Sequence, residues 1–134
     1  MGSVSVIGMG PAGGEFVLPA GTARIRQADI LIGGERHVRP YRDSGKEIVQ
    51  LKGNWRKAAD RIASAGSNKN IAVLVSGDPA LYSYTAMLQR QLPGTDIDIV
   101  PGISSFQYLA AALGINWNGG AVLSFHGGPP LLKD

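Results

Sequence analysis

The chain has 134 residues, of which 44% are hydrophobic and 17% charged, so it can bury one core and is too short for two full domains. A net charge of +3, with one dense basic stretch from Arg36 to Arg42, gives little reason to expect a nucleic-acid partner. The absence of cysteine excludes disulfides and thiolate metal sites. His37 and His126 lie too far apart in sequence to suggest a local metal motif, so we expect no metal.

The chain begins with a β-rich segment and contains no run of about 18 apolar residues. It also lacks the basic start and long apolar stretch of a signal peptide. We therefore expect a cytoplasmic protein without a membrane partner.

Short runs rich in β-branched residues alternate with segments of helical periodicity. The predicted strands are Val4 to Ile7, Ile30 to Ile32, Ile71 to Ser76, Ile97 to Val100 and Val122 to Phe125. The predicted helices are Gly21 to Gln27, Trp55 to Ala65, Thr85 to Gln91 and Ser105 to Leu113. This alternation predicts an α/β fold, with an open, mainly parallel five-stranded sheet and helices on both faces.

The segment from Glu35 to Gly53 has no strong period. Its charges, together with Pro40 and Gly45, indicate a surface excursion, with a short strand at Ile48 to Leu51 as an option.

Three predicted strands end in loops with ligand-binding chemistry. These loops are Gly8 to Gly14, Gly77 to Ala80 and Pro101 to Ser105. In an open parallel sheet, the loops after the strands meet at the carboxyl edge, where ligands of doubly wound folds bind. We therefore predict that the three loops converge on one ligand site.

In the first loop, Gly8, Gly10 and Gly13 match the dinucleotide-binding pattern G-x-G-x-x-G, with Asp29 about twenty residues downstream of the strand. That pattern needs a helix that begins at its second glycine and runs for several turns. Pro19 would break such a helix, and Asp29 precedes its strand instead of following it. A dinucleotide-dependent oxidoreductase is therefore an alternative function, and a purely structural turn is the plainest interpretation of the loop.

The second loop contains a carboxylate, Asp78, between Gly77 and Pro79. A carboxylate at the end of a strand can accept hydrogen bonds from ligand hydroxyl or ammonium groups, and it can equally cap the helix that follows. Tyr82 and Tyr84 either line a cleft for a flat ligand or cover the sheet.

In the third loop, Ser104 and Ser105 stand where a strand gives way to the last helix. Their hydroxyls are expected to cap that helix and can also meet a ligand at its positive end. The apolar residues of the helix are predicted to be core: Phe106, Leu109, Ala110 and Leu113.

Four segments, in order, resemble the signatures of the tetrapyrrole methylases: Val6 to Gly13, Ala28 to His37, Val75 to Ser83 and Val100 to Gln107. The stretch Gly33 to His37 is similar to that of the enzymes that methylate carbon 5 of precorrin-7 or cobalt-precorrin-7. These include the N-terminal half of the bifunctional, decarboxylating precorrin-6Y C(5),C(15)-methyltransferase. Four ordered signatures over nearly the whole chain are far more specific than one glycine motif.

The resemblance implies a cobalamin-biosynthesis enzyme that transfers a methyl group from S-adenosyl-L-methionine to a precorrin and forms a dimer. It implies an N-terminal α/β cofactor-binding domain at residues 1–124, with residues 125–134 starting the linker to a second domain. The implied cofactor-binding residues are Pro11, Ser76, Gly77, Asp78, Leu81, Ser104 and Ser105. The candidates for tetrapyrrole contact are Arg36, His37 and Tyr82, although the basic residues can equally form a solvated loop.

A half-site of this kind lacks the contacts that the second domain supplies. We therefore expect the 134-residue chain alone to bind the cofactor weakly and to be inactive. Methyl transfer is a direct displacement that needs alignment and exclusion of water, so no catalytic side chain is assigned. A non-catalytic binding domain is the remaining alternative.

Overall fold

The computed structural model describes residues 2–11 and 13–124. Within them, five strands form one sheet: β1 (Val4–Gly8), β2 (Ile30–Gly34), β3 (Glu47–Leu51), β4 (Ile71–Val75) and β5 (Ile97–Val100). Five α-helices alternate with the strands: α1 (Pro19–Gln27), α2 (Glu35–Val38), α3 (Arg56–Ser64), α4 (Thr85–Gln91) and α5 (Ser105–Leu113). The strand order is β3-β2-β4-β1-β5, and every neighbouring pair is parallel. The predicted α/β fold with a five-stranded parallel sheet is confirmed.

Helices cover both faces of the sheet, and each face has its own apolar core. Ile62 of α3 and Leu88 of α4 pack on one face. Ile25 of α1 and Val38 of α2 pack on the other. All five residues of the central strand β4 are buried, as expected for a parallel strand between two helical layers. Full burial of each isoleucine, valine or leucine side chain of β4 stabilises the fold by about 1.5–3 kcal/mol.

The predicted strand at Val122 to Phe125 is wrong for residues 122–124, which lie outside the sheet, and Phe125 lies outside the described residues. The fifth strand is instead β3, at the segment predicted as an optional strand. The surrounding region is more than a surface excursion, because α2 buries Val38 completely. Its weak sequence period has a physical cause: α2 is a single turn, and β3 is a half-exposed edge strand.

The first helix begins at Pro19, two residues before the predicted Gly21. Proline suits this position because the first helical N–H has no partner within the helix and the proline φ angle is already helical. Pro19 therefore starts α1. None of the helices in the described residues is long and apolar enough to cross a membrane.

The outer face of α5 is exposed. Ala110 is buried as predicted, but Leu109 and Leu113 are 57% and 62% exposed, so their prediction as core residues is wrong. The reason is that α5 follows the edge strand β5, and among residues 2–11 and 13–124 nothing covers this face.

Candidate functional site

The first two loops are joined through their backbones above the carboxyl ends of β1 and β4. The Gly10 N–H donates to the Gly77 carbonyl at 3.3 Å, and the Gly77 N–H donates to the Gly10 carbonyl at 3.1 Å. Both glycines have positive φ angles, 70° and 64°, which other residues rarely adopt. This antiparallel bridge fixes the two loops relative to each other.

The third loop packs against the other two through glycine. A Cβ built on Gly8 would lie 2.6 Å from the Gly77 carbonyl oxygen and 2.7 Å from the α-carbon of Gly102. Real Cβ atoms do not come so close, so the approach requires residues without side chains. Gly8 therefore has the structural role that the sequence analysis offered for the glycine loop. The predicted convergence of the three loops is confirmed.

The three loops border a cleft of about 690 Å³, a volume within the usual range for small-molecule sites. The predicted residues that line it are Pro11, Arg36, Ser76, Gly77, Asp78, Leu81, Tyr82, Ser104 and Ser105. The cleft is also lined by Phe106 and residues 122–124, which were not predicted as site residues. Their apolar pattern had indicated core and strand, and gave no signal of a site.

A second cavity of about 430 Å³ adjoins this cleft, and both are lined by Gly10, Pro11 and Arg36. His37 and Tyr41 line only the second cavity. His37 is therefore the one predicted site residue that is not in the main cleft, and Arg36 stands at the junction of the two cavities.

Asp78 uses one carboxylate oxygen locally. Its Oδ1 accepts a hydrogen bond from the Ala80 N–H at 3.0 Å, which closes a tight turn. The helix-cap interpretation is wrong, because α4 does not begin until Thr85. Among the described residues nothing donates to Oδ2, so this oxygen can accept from a ligand.

The two serines of the third loop have different roles. Ser104 is 5% exposed and forms a capping box at the start of α5. Its Oγ accepts from the Gln107 N–H at 3.4 Å, and the Gln107 Oε1 accepts from the Ser104 N–H at 2.8 Å. The predicted cap is confirmed for Ser104. Ser105 is exposed, lines the cleft and makes no hydrogen bond from its side chain within the described residues.

Arg36, His37 and Ser76 form one hydrogen-bonded cluster. Arg36 Nη2 donates to Ser76 Oγ at 2.9 Å, and Arg36 Nε donates to His37 Nε2 at 3.3 Å. Ser76 Oγ lies 3.0 Å from the same nitrogen, His37 Nε2. Partial burial, and secondly the charge of Arg36, lower the pKa of His37 from 6.5 to about 4. The imidazole is therefore neutral near pH 7.

The other two arginines of the basic segment, Arg39 and Arg42, line neither cavity. Arg42 forms an ion pair with Glu35 at 2.7 Å and donates to the Gln50 side chain at 3.2 Å. Arg39 is exposed and lines neither the cleft nor the adjoining cavity. The solvated-loop interpretation fits these two arginines.

Only one of the two tyrosines lines the cleft. Tyr82 has a φ of 47°, which is rare for a residue with a side chain, and its hydroxyl donates to the Val122 carbonyl at 2.9 Å. Tyr84 instead stacks on Trp55, with ring centroids 3.8 Å apart and planes inclined by 15°. Tyr82 therefore ties residues 122–124 to the second loop.

The geometry does not favour the dinucleotide alternative. No helix begins at Gly10, since a short 3-10 turn at Gly14–Phe16 precedes α1. Asp29 lies at the opposite edge of the sheet, where its Oδ2 accepts from the Asn70 N–H at 2.8 Å. Its carboxylate orders the amino ends of β2 and β4 and is far from the glycine loop.

Known sequences support a different assignment. The sequence profile of the tetrapyrrole (corrin/porphyrin) methylases matches residues 3–134. The cobalt-precorrin-7 C(5)-methyltransferase of Salmonella typhimurium is 39% identical over 124 residues, which make up 92% of this chain and 61% of that protein.

Solved structures share the fold. The precorrin-6Y methylase of Archaeoglobus fulgidus has a TM-score of 0.78 at 24% identity, covering 92% of this chain and 65% of that one. Another neighbour is the uroporphyrin-III C-methyl transferase of Thermus thermophilus, complexed with S-adenyl homocysteine. It has a TM-score of 0.66 at 22% identity, and the match covers 83% of this chain and 52% of that one. This chain spans less than two thirds of each relative's length. Because the family profile covers nearly all of the sequence and the fold agrees, the chain belongs to the tetrapyrrole (corrin/porphyrin) methylases.

Proposed function

We propose that this chain binds S-adenosyl-L-methionine in the cleft between its three loops. We further propose that it is the cofactor-binding part of an enzyme that methylates carbon 5 of precorrin-7 or cobalt-precorrin-7 in cobalamin biosynthesis. The convergence of all seven predicted cofactor residues on one cleft is the observation that carries this proposal. The identity to the Salmonella relative supports the choice of carbon 5.

The chemistry of the cleft fits the cofactor. Asp78 Oδ2 and the Ser105 hydroxyl are polar groups not engaged by the described residues, and they suit ribose hydroxyls or an ammonium group. Pro11 and Leu81 supply apolar surface for a flat base. Ser104 shapes the wall of the cleft by starting α5, because its side chain and its N–H are both engaged with Gln107.

The residues around the cleft act by positioning. The bound S-adenosylmethionine supplies the methyl group, and an electron-rich carbon of the tetrapyrrole attacks it directly. The protein has to align the two and exclude water, so the reaction requires no nucleophilic side chain. Arg36, at the junction of the two cavities, pairs with a carboxylate of the acceptor. Tyr82, which follows the second loop in the sequence, also contacts the acceptor.

The same proposal assigns residues 1–124 to a cofactor-binding domain and residues 125–134 to the approach to a second domain. It also implies a homodimer, which analytical ultracentrifugation tests directly. This chain spans 61% of the length of the Salmonella relative, so we expect a polypeptide of these 134 residues alone to bind the cofactor weakly and to be inactive.

Calorimetric titration tests cofactor binding. S-adenosylmethionine, S-adenosylhomocysteine and NADH are titrated into this chain and into the chain continued by the C-terminal residues of the Salmonella relative. We expect saturable binding of both sulfur compounds, tighter in the longer protein, and no response to NADH. Asp78→Asn is expected to weaken binding at least tenfold, whereas Asp96→Asn at the opposite edge of the sheet leaves it unchanged. Saturable NADH binding without any response to S-adenosylhomocysteine would overturn the proposal.

A further inference from the structure

We propose that Ser76 and His37 form a proton relay that removes the proton lost by the acceptor during methyl transfer, with Arg36 holding both groups in place. The relay rests on the proposed function, since it needs a methylated acceptor in the cleft. It assigns chemistry to a cluster that cofactor binding alone does not require.

The donors and acceptors of the cluster fix the direction of the relay. Arginine can only donate, so Ser76 Oγ accepts from Arg36 Nη2 at 2.9 Å. Arg36 Nε also donates to His37 Nε2 at 3.3 Å, so this nitrogen carries no proton. The Ser76 hydroxyl hydrogen is then available to His37 Nε2, which is 3.0 Å away. With Nε2 as the unprotonated nitrogen, a proton can thus move from Ser76 to His37.

The position of the cluster suits a path from the cleft to solvent. Ser76 lines the cleft proposed for the cofactor, and His37 lines the adjoining cavity. The other titratable side chains that line the two cavities are Arg36, Tyr41, Asp78 and Tyr82. Of the histidines, His37 alone falls within the described residues.

The proton balance of the reaction requires an acceptor group. An electron pair of the tetrapyrrole carbon forms the new bond to methyl, and the electron pair of the broken sulfur–methyl bond goes to sulfur. The positive charge passes to the tetrapyrrole, which then releases one proton. Ser76 Oγ takes this proton as its own hydrogen moves to His37 Nε2, and the imidazolium later gives its proton to water in the adjoining cavity.

The low basicity of His37 is compatible with this role. A pKa of about 4 leaves it unprotonated, and so ready to accept, in nearly every molecule at pH 7. The charge of Arg36 contributes to that low pKa. When Arg36 pairs with an acceptor carboxylate, that contribution falls and His37 becomes a stronger base.

The first test needs no activity. Nitrogen-15 NMR of the imidazole in this chain is expected to show His37 Nε2 unprotonated at pH 7. Ser76→Ala is expected to shift the His37 Nε2 resonance, because this nitrogen then loses a hydrogen-bond donor. A protonated Nε2 at pH 7 would overturn the relay, whatever the activity of the enzyme.

The second test separates a proton acceptor from a structural contact. His37→Gln keeps a hydrogen-bond acceptor for Ser76 but cannot take up a proton. In the chain continued by the C-terminal residues of the Salmonella relative, we expect His37→Gln to slow single-turnover methyl transfer about 100-fold or more. Its dissociation constant for S-adenosylhomocysteine should change less than threefold. Transfer at the parental rate refutes the relay alone, whereas a parent protein that neither binds S-adenosylhomocysteine nor methylates refutes the proposed function.

Discussion

The backbones of Gly8 and Gly102 run so close together that a Cβ on Gly102 would lie 2.8 Å from the α-carbon of Gly8. The same Cβ would overlap the carbonyl oxygen of Gly77 in the second loop. Neither neighbour is the end of a flexible side chain, so a substitution here has to displace backbone. These contacts set the spacing of the cleft.

We expect Gly102→Ala to lower the free energy of unfolding by about 2 kcal/mol or more, because the loops must separate to admit the methyl group. Urea unfolding followed by circular dichroism measures the change. Gly34→Ala is the matched control, since a Cβ at Gly34 meets nothing within 4 Å and its φ of −65° suits alanine. Equal stabilities for the two variants would show that the loops can separate at no cost.

The capping role of Ser104 predicts a loss of stability that Ser105 does not share. Ser104→Ala removes the side-chain acceptor for the Gln107 N–H, and we expect a loss of about 1 kcal/mol. Ser105→Ala should change stability by less than about 0.5 kcal/mol, because its side chain is exposed. Calorimetric titration should show the reverse order for binding: Ser105→Ala should weaken S-adenosylhomocysteine binding more than Ser104→Ala does. If Ser105→Ala proves the more destabilising change, the assignment of the cap is wrong.

The pKa of His37 makes stability depend on pH. Burial and Arg36 lower the folded pKa to about 4 from 6.5, so the unfolded chain binds more protons between these values. The stabilisation is complete above pH 6.5 and is lost as the pH falls towards 4. Because the ring is partly exposed, screening reduces this loss to about 1–2 kcal/mol.

His37→Gln should therefore flatten the pH dependence of unfolding free energy between pH 6.5 and 4. Urea unfolding of both proteins at several pH values isolates this contribution, since carboxylates titrate alike in both. If the unfolding free energies of the two proteins changed equally with pH, the pKa of His37 would not be lowered in the folded chain.

The Tyr82 hydroxyl connects residues 122–124 to the second loop. Tyr82→Phe keeps the ring but removes the donor to the Val122 carbonyl. We expect hydrogen exchange at Leu123 and Ser124 to quicken up to about tenfold, as for the loss of a hydrogen bond worth about 1 kcal/mol. Tyr84→Phe is the control, because Tyr84 is held by its stack on Trp55. Unchanged exchange in Tyr82→Phe would place the restraint on this segment elsewhere.

The convergence of the three loops at the carboxyl edge was predictable because local signals mark the loops. Glycine, proline and serine cluster where strands end, and a parallel sheet brings such loops together whatever its strand order. The side-chain partners were not predictable, because the contact of His37 with Ser76 joins positions that are distant in the chain. The exposure of Leu109 also has no local signal, since periodicity marks an apolar face without saying what covers it.

The strand order has a consequence for how the chain folds. Strands β1 and β2, although consecutive, never touch, because β4 lies between them. During synthesis, β1 has no neighbour until residue 71 and beyond have emerged, while β2 and β3 can already pair. Closing so long a stretch of chain is slow compared with local pairing. The third loop of the cleft follows β5, whose partner among the described strands is β1. Because β1 is itself held by β4, we expect the cleft to be among the last features to form.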